Sequence, residues 1–320
     1  MRKKQEGKEE KKKRKKKKKS SRLSYVFLAV AFLAGAGILL YPTFSDLWNS
    51  YRNRRLISEY STVVDTLDPV DYSDIWEEAR AFNAQHKVNT ILDAFDEETN
   101  DYVLSHPYDQ VLNPTGNEVM GYLDIPKIHV RLAIYHGIGV KALENGCGHI
   151  EGTSLPIGGE GTHAVLSAHR GLPSAKLFTD LDQMEEGDLF FITILDQKLA
   201  YRVDQIKTVL PEETEDLAIE ENRDLVTLVT CTPYGVNSHR LLVRGERTEY
   251  TEEEDTAGRG ILLRSPLEGT DRTQTLLVVG LLAFLLFLFL LSIVLKITDR
   301  RKRKKKVDRQ TEDPPEEKGG

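Results

Sequence analysis

The sequence predicts a mainly β domain that is preceded by a helical region and enclosed between two membrane-spanning helices. Three observations support this prediction. Short apolar runs rich in β-branched residues recur within residues 119–250, and glycine and proline separate them. Within residues 42–118, part of the chain places its apolar residues at helical spacing. Two long apolar runs without a charged residue lie near the two ends of the chain.

Both ends of the chain have the pattern of a two-pass membrane protein. Residues 1–22 form a basic tail with 14 Lys and Arg, a composition that predicts no regular structure, and residues 23–41 form the first apolar span. Residues 275–295 form a second span, and residues 296–320 are a basic tail with ten Lys and Arg. Both basic segments lie outside the spans, so both termini are expected in the cytoplasm and the middle outside the cell membrane. A cleaved signal peptide is the alternative for the first run.

The segment between the two spans is acidic. Residues 42–274 contain 20 Lys and Arg against 41 Asp and Glu, a net charge of about −21. This charge disfavours nucleic acid as a partner. Because the basic tails lie beside predicted spans, membrane lipid is the expected partner of those tails. No cofactor and no metal is expected.

The first part of the outer segment is predicted to be mostly helical. Between Ser45 and about His86, apolar residues such as Tyr51 and Ile57 fall near a 3.6-residue period. Asp68-Pro69 is predicted to break this helical stretch. Residues 89–117 show no clear period and are interpreted as a loop-rich connection.

The second part of the outer segment, from residue 119 to residue 250, is predicted to be β-structure. Seven or eight short strands with irregular joins favour a closed β-barrel or a sandwich. The segments with strand character are 121–126, 130–136, 162–168, 187–195, 199–206, 224–231 and 240–250. Residues 251–274 are polar and charged, and are interpreted as a linker to the second span.

The chain has two cysteines, and their state is open from the sequence alone. In an exported domain, Cys147 and Cys231 could form a disulfide. Alternatively, Cys231 is a reactive thiol at the end of a strand and Cys147 is a small buried residue. The surroundings of Cys231 favour the second interpretation.

Three residues have the chemistry of a nucleophilic acyl-transfer site. Cys231 ends one strand-like run, His169 follows another, and Arg240 begins the next strand. A thiol attacks acyl groups as the thiolate, which requires a base such as imidazole, and a guanidinium can donate to an oxyanion. Each of the three could instead be structural, and His163 and His239 are rival histidines. Residue chemistry alone therefore leaves the enzyme interpretation open.

Two longer motifs around these residues resemble a known family. They are His163-Ala-Val-Leu-Ser-Ala-His-Arg-Gly-Leu-Pro173 and Thr230-Cys-Thr-Pro-Tyr-Gly-Val-Asn-Ser-His-Arg-Leu-Leu-Val-Arg-Gly245. Both resemble the sortases, the membrane-anchored cysteine transpeptidases of Gram-positive bacteria, and they are most similar to the pilus-assembling class C. Further similarity lies in Gly121–Pro126, Glu151–Gly159 and Leu195–Ile206, so that the resemblance covers roughly residues 41–250.

The resemblance implies a fold, a reaction and roles for three residues. Residues 119–250 would be an eight-stranded sortase-type barrel, with Cys231 as nucleophile, His169 as general acid and base, and Arg240 stabilising substrate and oxyanion. The family cleaves an LPxTG-like sorting signal through a thioester. In class C, the acceptor is a lysine amine of the next pilin.

Class C sortases also have a lid before the barrel, with Asp-Pro followed by an aromatic residue. The most similar segment here is Asp93-Ala-Phe95, in which alanine replaces the proline. The resemblance implies that Asp93 pairs with Arg240 and that Phe95 packs over Cys231. An ordinary helical turn is the alternative for this segment.

Two other functions compete with pilus assembly. A housekeeping sortase would join surface proteins to a cell-wall precursor, but the C-terminal span and the lid-like segment disfavour it. A non-enzymatic two-pass scaffold with a binding barrel would leave Cys231 without a reactive role.

Overall fold

A computed structural model describes two units of the chain, residues 1–263 and 264–320. The described residues are 2–85, 93, 95, 105, 107–251 and 254 in the first unit and 280, 285, 286 and 289 in the second. The side chains of residues 2–29 lie outside this description, as do most of the predicted linker 251–274 and second span 275–295, and all of the tail 296–320. The four described residues of the second unit are helical.

In its described residues, the first unit contains two long helices followed by eight strands, with one short α-helix among the strands. The helices are α1 (Arg2–Val64), α2 (Pro69–Gln85) and α3 (Val140–Asn145). The strands are β1 (Val119–Ile125), β2 (Val130–His136), β3 (Cys147–His149), β4 (Thr162–Ser167), β5 (Leu189–Ile194), β6 (Gln197–Val209), β7 (Asp224–Thr232) and β8 (His239–Thr248).

The strands close into a barrel in the order β1-β2-β3-β4-β7-β8-β6-β5. The prediction of a mainly β, eight-stranded barrel is therefore confirmed, and the sandwich alternative is wrong. Two neighbouring pairs, β2–β3 and β4–β7, are parallel, and the other pairs are antiparallel. Every strand in the described part of the chain has a neighbouring strand on both sides, so the barrel has no edge strand there.

The N-terminal region is more helical than the sequence predicts. The helix α1 begins at Arg2, so the backbone of the basic residues 2–22 is helical although their composition predicts no regular structure. The prediction considered only whether these residues could form an apolar core. Lysine and arginine have good intrinsic helix propensity, so a helical backbone can form there without a core. The predicted break at Asp68-Pro69 lies between α1 and α2, and Pro69 occupies the first position of α2, where its missing N–H is harmless.

Hydrogen bonds to backbone groups hold both long helices against the barrel. The Tyr60 hydroxyl of α1 donates to the carbonyl of Met120 (2.6 Å) and accepts from the N–H of Leu195 (2.8 Å). In α2, the amide of Asn83 exchanges two hydrogen bonds with the backbone of Leu155, at 2.8 and 3.2 Å. Apolar side chains of both helices, Trp76 of α2 among them, belong to the main core. The C-terminal part of α1 and the helix α2 are therefore packed against the barrel.

In the part of the chain that the structure describes, no helix is both long enough and apolar enough to cross a membrane. The two membrane spans stay a prediction from the sequence.

Candidate active site

The parallel pairing of β4 and β7 brings two of the predicted site residues together. Ser167 pairs with Val229, and the pairing continues past the end of β4, where the N–H of Ala168 donates to the carbonyl of Val229 at 3.2 Å. His169 and Cys231 each lie two residues beyond this Ser167–Val229 pair. Because parallel strands in register end at the same edge, the two residues leave the barrel side by side.

Arg240 lies on the other side of Cys231. It is the direct partner of Cys231 in the antiparallel pair β7–β8. Since the strand order is β4, β7, β8, the imidazole, thiol and guanidinium come from three successive strands at one end of the barrel. The sequence predicts these three residues, and the structure brings them together. Their catalytic roles stay a prediction.

Burial sets the resting protonation of the site. It raises the pKa of Cys231 to about 11; the carboxylate of Asp93 also raises this pKa, and the guanidinium of Arg240 lowers it. Burial lowers the pKa of His169, against a smaller opposite effect of the Glu144 carboxylate. Both shifts favour the uncharged form of each group. At neutral pH the resting pair is therefore a thiol beside a neutral imidazole.

Asp93 closes the site by an ion pair with Arg240. The guanidinium Nε donates to Asp93 Oδ1 at 2.8 Å, and Nη2 donates to Asp93 Oδ2. The third nitrogen, Nη1, donates to the carbonyls of Asn237 and His239, both at 3.1 Å. This two-pronged pairing occupies the donors that an oxyanion would need. The contact that the resemblance implies for Asp93 is present.

Phe95 lies across the same three strands. Its ring centroid is 5.4 Å from the ring of His169 and 5.3 Å from Cζ of Arg240, a cation–π distance. His169 follows β4 and Arg240 lies in β8, and β7, which carries Cys231, lies between these two strands. The ring of Phe95 therefore contacts residues on both sides of β7. Phe95 also packs against an apolar cluster that contains Val229. Asp93 and Phe95, called the lid pair below, therefore both contact predicted site residues.

A shallow pocket adjoins the lid pair. The segment that follows β6 and side chains of β7 and β8 contribute to its lining. Its lining residues are Asp93, Ile150, Val209, Leu210, Pro211, Glu213, Thr214, Leu217, Val229, Arg240 and Leu242. Most of these side chains are apolar.

Two further residues position the site, and residue chemistry did not single them out. Thr230 Oγ1 donates to the carbonyl of Ala168 at 2.7 Å and joins the ends of β4 and β7. Arg170 donates to Thr232 Oγ1 at 3.1 Å and to the carbonyl of Thr179 at 3.2 Å, and it pairs with Asp182. The only sequence signal for Arg170 is its place beside His169.

The rival histidines and the second cysteine have other surroundings. His163 is buried, with Nδ1 2.8 Å from the carbonyl of Ala218 and Nε2 2.7 Å from Thr227 Oγ1, so both nitrogens are engaged. His239 is hydrogen-bonded to its neighbour Ser238. The thiol of Cys147 is buried in β3 and is 3.5 Å from the carbonyl of Ala133. Cys147 and Cys231 are both free thiols, so the disulfide interpretation is wrong for this structure.

Comparison with known proteins identifies the family. A sequence model of the sortase domain matches residues 123–248. The crystal structure of sortase C-1 from Streptococcus pneumoniae is 41% identical, with a TM-score of 0.58, and the match covers 62% of this chain and all of that one. The chain belongs to the sortase family. A second sortase C structure from S. pneumoniae, described in terms of pilin substrate specificity, is 45% identical over 62% of this sortase and 98% of that chain, with a TM-score of 0.58.

The curated relatives of this sortase match over a shorter region. Sortase A of Streptococcus agalactiae serotype III is 31% identical over 147 residues, which are 45% of this chain and 58% of the relative. This sortase therefore spans about three fifths of the length of the curated relatives that it matches. The solved structures named above are class C sortases, which confirms the resemblance to class C.

Proposed function

We propose that this sortase is a cysteine transpeptidase that cleaves an LPxTG-like sorting signal and transfers its threonine acyl group to a lysine amine of a pilin. The observation that carries the proposal is the alignment of His169, Cys231 and Arg240 on adjacent strands beneath the lid pair. The similarity to sortases C supports a pilin as substrate. The proposed steps use only His169, Cys231 and Arg240 of this chain and the amine of the acceptor, so the proposal includes no cofactor.

In the first half-reaction, Cys231 transfers its proton to His169 and its sulfur attacks the carbonyl carbon of the signal threonine. The oxyanion that forms accepts hydrogen bonds from Arg240 once Asp93 has released the guanidinium. His169 then protonates the leaving glycine amine, the carbon–nitrogen bond breaks, and a thioester on Cys231 remains.

In the second half-reaction, the lysine amine attacks the thioester carbonyl. His169 removes a proton from the incoming amine, the carbon–sulfur bond breaks, and Cys231 leaves as the thiolate that takes the proton back. The product is an isopeptide bond. Water competes with the amine for the same thioester, so a cover over the site favours transfer over hydrolysis.

The test uses purified pilin as the sole substrate. The wild-type enzyme is expected to give ladders of covalent polymer, and Cys231→Ala is expected to give none. Glu185→Ala, which changes an exposed ion pair with Lys127 on the barrel surface, is the matched control and should polymerise pilin normally. Polymer formation by Cys231→Ala would refute the assignment of the nucleophile. Cleavage of signal peptide by wild-type enzyme without any polymer would instead favour a housekeeping sortase.

We also propose that the chain crosses the cell membrane twice, through residues 23–41 and 275–295, with both termini in the cytoplasm. The two uncharged runs and their basic flanks support this topology. Protease treatment of intact cells from which the wall has been removed tests it. The barrel should be digested, and tags at both termini should be protected. Digestion of either tag would contradict the topology.

A further inference from the structure

One face of α1 is aromatic and turned away from the barrel. Four side chains at alternating spacings of three and four residues lie along it, and 56–68% of each is exposed. They are Tyr41, Phe44, Trp48 and Tyr51. We call this set the aromatic stripe. The rings of Trp48 and Tyr51 are 6.1 Å apart, so the lower part of the stripe is continuous.

The same stretch of α1 turns polar side chains toward the barrel. Asp46 accepts from the N–H of Lys176, Asn49 donates to the carbonyl of Ser174, and Asn53 binds the backbone of both Ala133 and Asn145. At about 100° per residue, this polar face and the aromatic stripe lie roughly 150° apart around the helix axis. The polarity is the reverse of an ordinary amphipathic helix, which buries its apolar face against the core. The stripe therefore needs a partner outside the barrel.

We propose that the aromatic stripe binds the interface of an anionic phospholipid bilayer and holds the barrel in a fixed orientation on the membrane. The proposal rests on the proposed membrane topology. The first predicted span ends at Tyr41, where the stripe begins, so the stripe enters the headgroup region as the chain leaves the membrane. Beyond the stripe, Arg55 continues the same side of the helix; it pairs with Glu59 at 2.9 Å, is 69% exposed, and would meet anionic headgroups.

The residue types favour lipid over a second copy of the chain. Tyrosine and tryptophan are enriched at membrane interfaces, because each has an apolar ring and a polar group that can stay in water. Seams between parallel helices instead use Leu, Ile and Val at the same three- and four-residue spacing. Three of the four stripe residues are Tyr or Trp.

The length of the stripe sets the orientation of the helix. From Tyr41 to Tyr51, α1 rises about 15 Å. The interfacial layer on one side of a bilayer is only about 5–7 Å deep, so a helix perpendicular to the membrane would leave Trp48 and Tyr51 in water. All four rings reach the interface only if this part of α1 runs at a shallow angle. Pro42 lies at the start of the stripe, lacks an N–H for the carbonyl of Ile38, and gives the helix a place to change direction.

The chain offers a direct reporter, because Trp48 and Trp76 are its only tryptophans and Trp76 is buried in the core. The full-length protein is reconstituted in vesicles of phosphatidylglycerol and phosphatidylcholine, with and without bromine on the acyl chains. Bromine quenches an indole in contact with lipid. We expect brominated vesicles to remove about half of the wild-type emission, the share of Trp48, and to leave Trp48→Phe almost unquenched. Iodide in solution should quench the tryptophan emission of the wild-type protein no more than that of Trp48→Phe, because Trp48 in the bilayer interface is shielded from water.

Two results would overturn the proposal. One is equal quenching of wild type and Trp48→Phe by bromine, with strong quenching of the wild type by iodide, which places Trp48 in water. The other is that iodide fails to quench Trp48 only at a high protein-to-lipid ratio, while brominated lipid does not quench it. That result would assign the stripe to contact with a second copy of the chain. Flotation of the protein with the vesicles tests the spans separately, and peptide cleavage by the same samples tests the transpeptidase. Failure of the stripe is thus distinguishable from failure of the proposed function.

Discussion

Removal of the lid pair is expected to make Cys231 more reactive. The perturbation is the double substitution Asp93→Ala and Phe95→Ala, which deletes the ion pair with Arg240 and the ring over the site. Burial and the Asp93 carboxylate are the two causes that raise the pKa of Cys231, and the variant reduces both. The guanidinium of Arg240, which lowers that pKa, stays in place.

The size of the effect follows from the pKa. At pH 7 a thiol with a pKa of about 11 is about 10⁻⁴ thiolate. Return to the ordinary value of 9.0 raises that fraction about 100-fold. A thiolate of lower pKa is intrinsically less nucleophilic, by about a factor of ten over this range. We therefore expect about a tenfold faster alkylation of the variant, and more if the lid pair also blocks access.

The assay measures the rate of iodoacetamide addition by intact-protein mass spectrometry. Cys147 is buried and has a pKa raised by burial, so it should react little; Cys231→Ala measures its background. Glu185→Ala serves as the matched removal of a carboxylate distant from the site, and should react as the wild type does. Equal rates for wild type and the lid variant would refute the argument that the lid pair keeps the thiol protonated.

Three further predictions concern stability. Tyr60→Phe leaves the N–H of Leu195 and the carbonyl of Met120 without their partner, and should lower the free energy of unfolding in urea by about 1–3 kcal/mol. Cys147→Ala should destabilise the barrel slightly and leave transpeptidation unchanged with or without a reductant, since Cys147 is a free thiol. Burial would raise the pKa of Asp204, but hydrogen bonds from Arg244 and Arg223 outweigh burial and lower that pKa below 3.8. The ionised Asp204 therefore stabilises the folded state. This stabilisation is complete above the unfolded-state pKa and is lost as the pH falls through the lower, folded-state pKa. Asp204→Asn should reduce the acid dependence of unfolding in that range.

The strands were predictable because their pattern is local. Runs such as Val130–His136 and Asp224–Thr232 show strand residues between turn residues, and both were located almost to their ends. The strand β3 has only three residues, too few for any pattern, and was missed. The strand β6 extends beyond the predicted 199–206 at both ends: its first residues pair with β5, and pairing with β8 continues it to Val209 through polar residues.

The site was predictable in its members and not in its geometry. Cys231, His169 and Arg240 were found from residue chemistry and from the motifs around them. Their adjacency depends on the parallel register of β4 and β7, which joins residues 62 positions apart and leaves no local signal. The ion pair of Asp93 with Arg240 spans 147 positions, and only the family resemblance indicated it.

The most direct test of the account is the detection of the thioester. The full-length protein is mixed with an LPxTG-containing peptide, quenched in acid, and examined by intact mass and by fragmentation. We predict an adduct with the mass of the peptide fragment that ends at threonine, bonded to Cys231, absent from Cys231→Ala and strongly reduced in His169→Ala. Cleavage of the peptide by Cys231→Ala, or an adduct on another residue of the wild type, would contradict the assignment of Cys231 as the nucleophile.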